Sequence, residues 1–323
     1  MGSLVAILRK DGGDATYEAL NMLRMTAHGV FDFFSIASWK GSIASRSLSS
    51  IEGNISPSSI VLGHKFVKTL PNDALQSMVD GGLALLFEGR LYSDLNISDI
   101  ESALKEVREN PERGAARLLW KRDGAFVFIL STKDLLIIGR DSVGLRPLYY
   151  GEDEKVCAVA SERKAFIPLG MSDVKPFPPG HLAYVNAEGF KFRCIRTVTQ
   201  PEISSLAMDE AVAMLRRYLF EAVKTCTSDL KSIAVAFSGG LDSSVLARVC
   251  SLLWKEVELF MVTLEGAEDV EKAKNIANEL GLPINVRVYG VEDIAERLSE
   301  VPWITESPSP LDNAVAIPIL WVA

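Results

Sequence analysis

The segment Ser238-Gly239-Gly240-Leu241-Asp242-Ser243-Ser244 follows an apolar run, 233–237, and precedes a helical pattern over 243–254. Strand, glycine turn and helix in direct succession commit this part of the chain to an α/β arrangement. A helix start carries N–H groups without helical partners and the positive end of the helix dipole, so it attracts anions. Gly239 and Gly240 remove side chains and let the backbone close round a phosphate, while Ser238, Ser243 and Ser244 add hydroxyls. Asp242 by itself would repel a phosphate; it fits either a Mg²⁺ ligand or a helix-start carboxylate. The plainer reading is a serine-capped helix after a turn. It leaves the pattern S-G-G-x-D-S unexplained, since average residue usage would produce it by accident in under about one such chain in a thousand. No G-x-x-x-x-G-K-[ST] occurs, so the expected phosphate site is not a Walker loop.

Downstream the pattern alternates: strand 233–237, helix 243–254, strand 257–264, helix 269–280, strand 284–288 and helix 292–299. That alternation predicts parallel strands with crossover helices, and ligands in such sheets bind at the carboxyl ends of the strands. Gly281 and Pro283 stop the 269–280 helix. Upstream, 1–195 reads as strands over 4–8, 31–37, 60–62, 83–87, 125–130, 135–138, 156–160 and 181–185, with helices over 16–27 and 100–108. Ser98 and Glu101 form a candidate capping box. The aromatic stretch 31–39 has strand spacing and reads as core. Residues 196–208 form a polar linker, and 209–226 an amphipathic helix with Val212, Leu215, Leu219 and Val223 on one stripe. The expected domains are therefore 1–195 and 209–323.

A chain of 323 residues with 48% hydrophobic content has room for two cores. Its net charge of -8 argues against a non-specific nucleic-acid binder. Four cysteines without C-x-x-C spacing and three histidines without H-x-x-x-H exclude a structural zinc motif. Cys226 and Cys250 fall in apolar helical patterns and read as small buried hydrophobes. No signal peptide and no uncharged apolar run of about 18 residues is visible, which predicts a cytoplasmic protein with no membrane partner.

The residues 236–244 resemble the PP-loop of the ATP pyrophosphatases, specifically that of asparagine synthetases. Arg140-Asp141-Ser142-Val143-Gly144-Leu145-Arg146-Pro147-Leu148-Tyr149-Tyr150 is similar to the family's R-D-x-x-G-x-[KR]-P-L-Y-Y segment. Ala160-Ser161-Glu162-Arg163-Lys164-Ala165 resembles its A-S-E-x-K-A, and Pro178-Pro179-Gly180-His181 its P-P-G-[HT]. Eroded counterparts of H-R-G-P-D and L-G-H-R stand at 25–32 and 62–65. The resemblance implies α+β and α/β classes in one chain: an αββα, Ntn-hydrolase-like sandwich, then a short parallel-sheet PP-loop domain. It implies an enzyme that frees ammonia from glutamine in its first domain. In the second, a carboxylate is adenylated with ATP and Mg²⁺, and ammonia displaces AMP. By the same resemblance, Phe237, Ser238, Gly239, Gly240, Asp242, Ser243 and Ser244 would bind ATP, with Asp242 on the metal. Val262-Thr263-Leu264 would read adenine through backbone, or equally form a buried strand. Glu306 would stand near the amino-acid substrate, against the alternative of an exposed loop carboxylate. Arg140-Asp141 and Glu162 would be interdomain contacts or plain salt bridges.

Three departures modify the expectation. The family's nucleophile is a cysteine at position 2; here that residue is Gly2. The family's oxyanion segment reads N-G-x-[IL]-Y, but Glu88-Gly89-Arg90-Leu91-Tyr92 puts a carboxylate where the amide should donate, and losing such a donor costs about 10²–10³ in rate. The G-[ED]-x-x-D-E-x-F-G-G-Y segment of family synthetase domains does not occur, and Ser309 stands where asparagine synthetases have Asp. The expected function is an ammonia-using, AMP-forming amide ligase acting on aspartate or a similar small carboxylate. The alternatives are a lactam-forming synthetase, or a non-catalytic ATP-binding subunit in a homodimer or completed by a partner chain.

Overall fold

The computed structural model describes residues 2–69, 73–92, 97–200, 202, 205–253 and 256–322. Trp254, the predicted end of the helix after the glycine turn, lies outside them, as do linker positions 201, 203 and 204. The chain divides into two compact units, Met1–Pro201 and Glu202–Ala323.

The first unit holds two antiparallel sheets. In spatial order one contains β11 (Lys175–Pro176), β9 (Tyr149–Glu152), β10 (Val156–Ala160), β1 (Ser3–Arg9), β4 (Ile60–Phe66), β2 (Phe33–Ser38) and β3 (Gly41–Ser45). The other contains β13 (Gly189–Cys194), β12 (His181–Asn186), β8 (Leu136–Arg140), β7 (Gly124–Ser131), β6 (Leu83–Leu91) and β5 (Ser77–Asp80). Alternation along β1 sorts the layers. Leu4, Ala6 and Leu8 face the second sheet and join Leu62, Leu86, Val127 and Ile129 in the central core. Val5 and Ile7 face outward, under α1 (Thr16–Met25) and the 3₁₀ turn Arg163–Leu169. On the other side, α2 (Asp99–Val107) and α3 (Pro111–Lys121) cover Leu85, Phe87 and Phe128. Helix, sheet, sheet, helix is the expected αββα sandwich.

Ser98 and Glu101 do form the capping box that starts α2. The sequence reading has no α3, although Asn110 caps it and Pro111 opens it, a start signal of the usual kind. It also lacks β3, β5, β9 and β13, short strands whose polar faces dilute the period.

The second unit is built on three parallel strands in the order β14 (Ser232–Ala236), β15 (Glu256–Leu264), β16 (Ile284–Tyr289). Val235, Val257, Leu259 and Met261 pack against α5 (Leu241–Leu253) and α6 (Asp269–Leu280) through Ala247, Cys250, Ala273 and Ala277. These small helix residues let the helices lie close on the sheet. After α7 (Val291–Arg297) and α8 (Val301–Thr305) comes α9 (Pro310–Val322), whose Trp321 stacks on Tyr289 with ring centroids 3.8 Å apart.

The expected helix forms as α4 (Met208–Thr227); it has no buried residue, and its apolar stripe is largely solvent-facing, with Val212 56% and Leu215 68% exposed. Only Val223, near its end, packs on the unit's core. Cys226 is exposed, not buried, whereas Cys250 is buried as expected. Periodicity shows which residues share a face; it does not supply the surface that face meets.

Candidate functional site

The glycine turn lies at the carboxyl end of β14. Phe237 is buried in the unit's core and its N–H donates to the Phe260 carbonyl at 2.8 Å, which pins the turn to β15. Gly239 then takes φ +69°, a left-handed conformation, and a Cβ there would stand 2.9 Å from Ala273 Cα. Glycine is therefore required twice over, for its backbone angle and for the close approach of α6. The serines brace the turn from inside. The Ser238 N–H donates to Ser243 Oγ at 3.3 Å, the Gly240 N–H to Ser238 Oγ at 3.3 Å, and the Ser244 hydroxyl to the Gly240 carbonyl at 2.7 Å. The two bonds at 3.3 Å are long ones, which a phosphate oxygen could replace at small cost.

Leu241 and Asp242 are exposed in the first turn of α5. Val262, Thr263 and Leu264 end β15, paired with Arg287, Val288 and Tyr289, at the same carboxyl edge of the sheet as the turn. Val262 and Thr263 are half-buried and Leu264 is exposed, so the buried-strand alternative does not hold for Leu264. Glu306 caps α8 with φ +56° and is the one non-glycine residue with positive φ among the described residues. A left-handed glutamate costs about 1–2 kcal/mol. The loop after it is tied down: Thr305 Oγ1 donates to Asn313 Oδ1 at 3.0 Å and Ser307 Oγ to Asp312 at 2.6 Å. A groove of about 800 Å³ lies elsewhere, lined by Ser232, Arg248, Glu256, Glu258 and Pro283 at the amino ends of the strands. In an open parallel sheet that is the end away from ligands.

No group of three or more metal-ligating side chains occurs among the described residues. Asp242 offers a single exposed carboxylate there, which would fit a Mg²⁺ ion carried by a phosphate chain. That suits an ion that keeps most of its waters.

In the first unit the residues at the amidotransferase-type positions form two charge clusters, one on each face of β1. Toward the second sheet, Glu88 on β6 accepts a hydrogen bond from His64 Nε2 at 2.7 Å and lies 3.8 Å from Arg146 Nη1. Burial alone would raise the Glu88 pKa, but the His64 hydrogen bond, helped by the His64 and Arg146 charges, holds it below the ordinary carboxylate value. A Cβ on Gly2 would collide with Glu88 Oε2 and stand 2.8 Å from the Lys65 carbonyl oxygen. On the outer face, Glu162 accepts from Lys164 Nζ at 2.6 Å, from His28 Nε2 at 2.8 Å and from Ser3 Oγ. Lys65, buried, donates to the His28 carbonyl at 3.0 Å. The sequence shows a carboxylate at position 88 but not its partners, which come from other strands and loops.

Burial would raise Glu162, yet the hydrogen bonds from His28, Lys164 and Ser3 outweigh it and bring its pKa to about 2. A depressed carboxylate stabilises the fold above its unfolded value of 4.5 and loses that contribution as pH falls toward 2. Acid titration should therefore remove at most about 3 kcal/mol through this group, and Glu162→Gln should flatten the loss between those values. Chemical denaturation at a series of pH values checks this; an unchanged slope in the variant would count against it.

Arg140 and Asp141 turn out to be a loop clamp. The Arg140 guanidinium donates to the carbonyls of Gly144, Arg146 and Phe177, while Asp141 Oδ1 accepts from the N–H groups of Val143, Gly144 and Leu145. The Glu162 cluster does contain the plain salt bridge that was one of its two expectations.

A four-layer amidotransferase-type sandwich, followed by a parallel sheet with a serine–glycine turn at a strand's carboxyl end, defines a class of two-unit amidotransferase–synthetase chains. The comparisons agree. Residues 66–168 match the glutamine amidotransferase domain model, and 214–323 match the asparagine synthase model. The chain is 25% identical over 283 residues to a Methanocaldococcus jannaschii protein provisionally named asparagine synthetase [glutamine-hydrolyzing] 1, covering 80% of this chain and 51% of that one. It is 28% identical over 211 residues to asparagine synthetase B [glutamine-hydrolyzing] of Escherichia coli, covering 57% and 36%. At the level of fold it resembles the glutamine phosphoribosylpyrophosphate amidotransferase of B. subtilis, solved with ADP and GMP. There the TM-score is 0.52 at 17% identity, covering 88% of this chain and 65% of that one. The chain thus carries a C-terminal region of asparagine synthase type and an N-terminal region of glutamine amidotransferase type, is similar to asparagine synthetases, and spans about half the length or less of these two curated relatives. Among the described residues no helix is long and apolar enough to cross a membrane.

Proposed function

We propose that the chain performs the synthetase chemistry of the asparagine synthetases it resembles, an ATP-dependent amide ligation, with free ammonia in place of glutamine as nitrogen source. The substrate oxygen of a small carboxylate, aspartate or a similar acid, attacks the α-phosphorus of ATP and pyrophosphate leaves. Ammonia then attacks the acyl carbon and AMP leaves. Ser238, Gly239, Gly240, Ser243 and Ser244 hold the departing pyrophosphate. Asp242 would hold a Mg²⁺ ion carried by the phosphates, and that ion would supply positive charge toward the leaving group. The backbone of Val262–Leu264 would read adenine, and Glu306 would stand near the acid substrate.

The observation that most supports this is the left-handed Gly239 pressed against Ala273, a conformation a simple helix cap does not require. Support for ammonia comes from Glu88. A nucleophile-bearing side chain at position 2 would meet its carboxylate, and a carboxylate at that place repels an oxyanion. The test is ATP–pyrophosphate exchange with aspartate and other small acids, with ammonia or glutamine. Exchange dependent on one acid, and amide formed only with ammonia, is the expected result. Nucleotide binding without exchange would favour a non-catalytic subunit, and glutamate released from glutamine would remove the ammonia-only part.

A further inference from the structure

We infer that the His64 and Arg146 side chains beside Gly2 form a carboxylate-binding site whose ligand is supplied by the chain itself: the Glu88 side chain occupies it as a tethered anion. Glu88 is 8% exposed and stays ionised in a position where burial favours the neutral acid. It is held there by a hydrogen bond from one side and a guanidinium from the other. His64 is fully buried, and its other ring nitrogen, Nδ1, has no hydrogen-bond partner. Among the described residues the imidazole's hydrogen bond goes to the carboxylate. The space is exclusive as well, because a side chain at position 2 and the Glu88 carboxylate cannot both be present.

The occupied site also reaches the surface. Arg146, next to Glu88, closes the clamped loop 141–146, which holds Val143 and Leu145 about 60% exposed on a backbone fixed by Arg140 and Asp141. Exposed apolar side chains on a fixed loop are a surface whose order depends in part on the buried anion. Glu88 thus supports the loop from inside, through Arg146, with no external anion needed.

This inference shares the Glu88 geometry with the ammonia-only reading but is independent of ATP chemistry, so it is tested on stability and hydrogen exchange. Glu88→Ala is expected to lower Tm by about 10 °C and to speed amide exchange at 143–146. Formate or acetate should restore both in that variant with saturation, whereas chloride at equal ionic strength and formamide should not. Rescue by chloride as well would mean a general ionic effect and would overturn the assignment, as would no rescue by any of them. Should Glu88→Ala fail to fold, Glu88→Gln keeps the shape and removes the charge. Faster exchange at 143–146 in that variant supports the tethered anion, and unchanged exchange overturns it. Failure of amide ligation in the exchange assay would leave these outcomes untouched.

Discussion

Replacing Gly239 with valine is expected to lower carboxylate-dependent ATP–pyrophosphate exchange by at least about 10²-fold, because a displacement of about 1 Å in a positioning element costs that much. Gly239 has φ +69°, and its Cβ would stand 2.9 Å from Ala273 Cα and 3.0 Å from Ala273 Cβ. Both atoms belong to helix α6, so the clash cannot be relieved by a side-chain rotation. The turn or the helix must move. Strain should also appear without any substrate, as about 2 kcal/mol of lost stability in the second unit. Gly240 is the control. Its φ is not in the left-handed region, and a Cβ there meets only Ser238 Oγ, at 3.2 Å. Gly240→Ala should therefore cost less stability than Gly239→Val and affect exchange mainly through phosphate contact. Equal losses at the two positions in thermal denaturation would contradict the geometry.

The largest effect in the first unit is expected at His64. His64→Ala leaves the Glu88 carboxylate buried without its hydrogen-bonded imidazole and with Arg146 at 3.8 Å, and breaking a buried pair this way costs about 3–5 kcal/mol. In a unit of this size that corresponds to a Tm lower by about 10 °C. Removing both partners should be less harmful than adding the single losses, since no buried charge is then stranded. Denaturant titration of the two single variants and of His64→Ala/Glu88→Ala measures the coupling directly. Simple additivity would show that the pair contributes nothing as a pair.

The pH response separates the two clusters of the first unit. Both Glu88 and Glu162 are held below the ordinary carboxylate value, so both favour the folded state at neutral pH and lose that effect in acid. Glu162 draws on three donors, His28, Lys164 and Ser3, and its contribution should survive the loss of any one of them better than Glu88 survives the loss of His64.

Much of this was legible in order along the chain. The glycine turn, the strand before it and the helix after it are a local message, carried by residues within a dozen positions of one another. The structure keeps every element of that message to within two residues among those described. The strands of the sandwich were legible where both faces are buried, as in β1, β6 and β7, because an apolar run needs no knowledge of its neighbours. They were not legible in β3, β9 and β13, where exposed or half-exposed positions interrupt the run. The apolar stripe on α4 is legible in the sequence, whereas what it meets is not, and none of its residues is buried.

By itself, then, the sequence determined the alternation of elements, the glycine required at 239, and a carboxylate at 88 where an amide donor would be expected. Only the tertiary structure decided what that carboxylate does. His64 and Arg146 lie 24 and 58 residues from Glu88 along the chain, and no local pattern links them. They meet because β4 and β6 belong to different sheets whose inner faces press together, and because the register of β1 against β4 sets Gly2 beside the same oxygen. Periodicity is a property of neighbouring residues, whereas charge pairing is a property of distance, and folding alone fixes the distances.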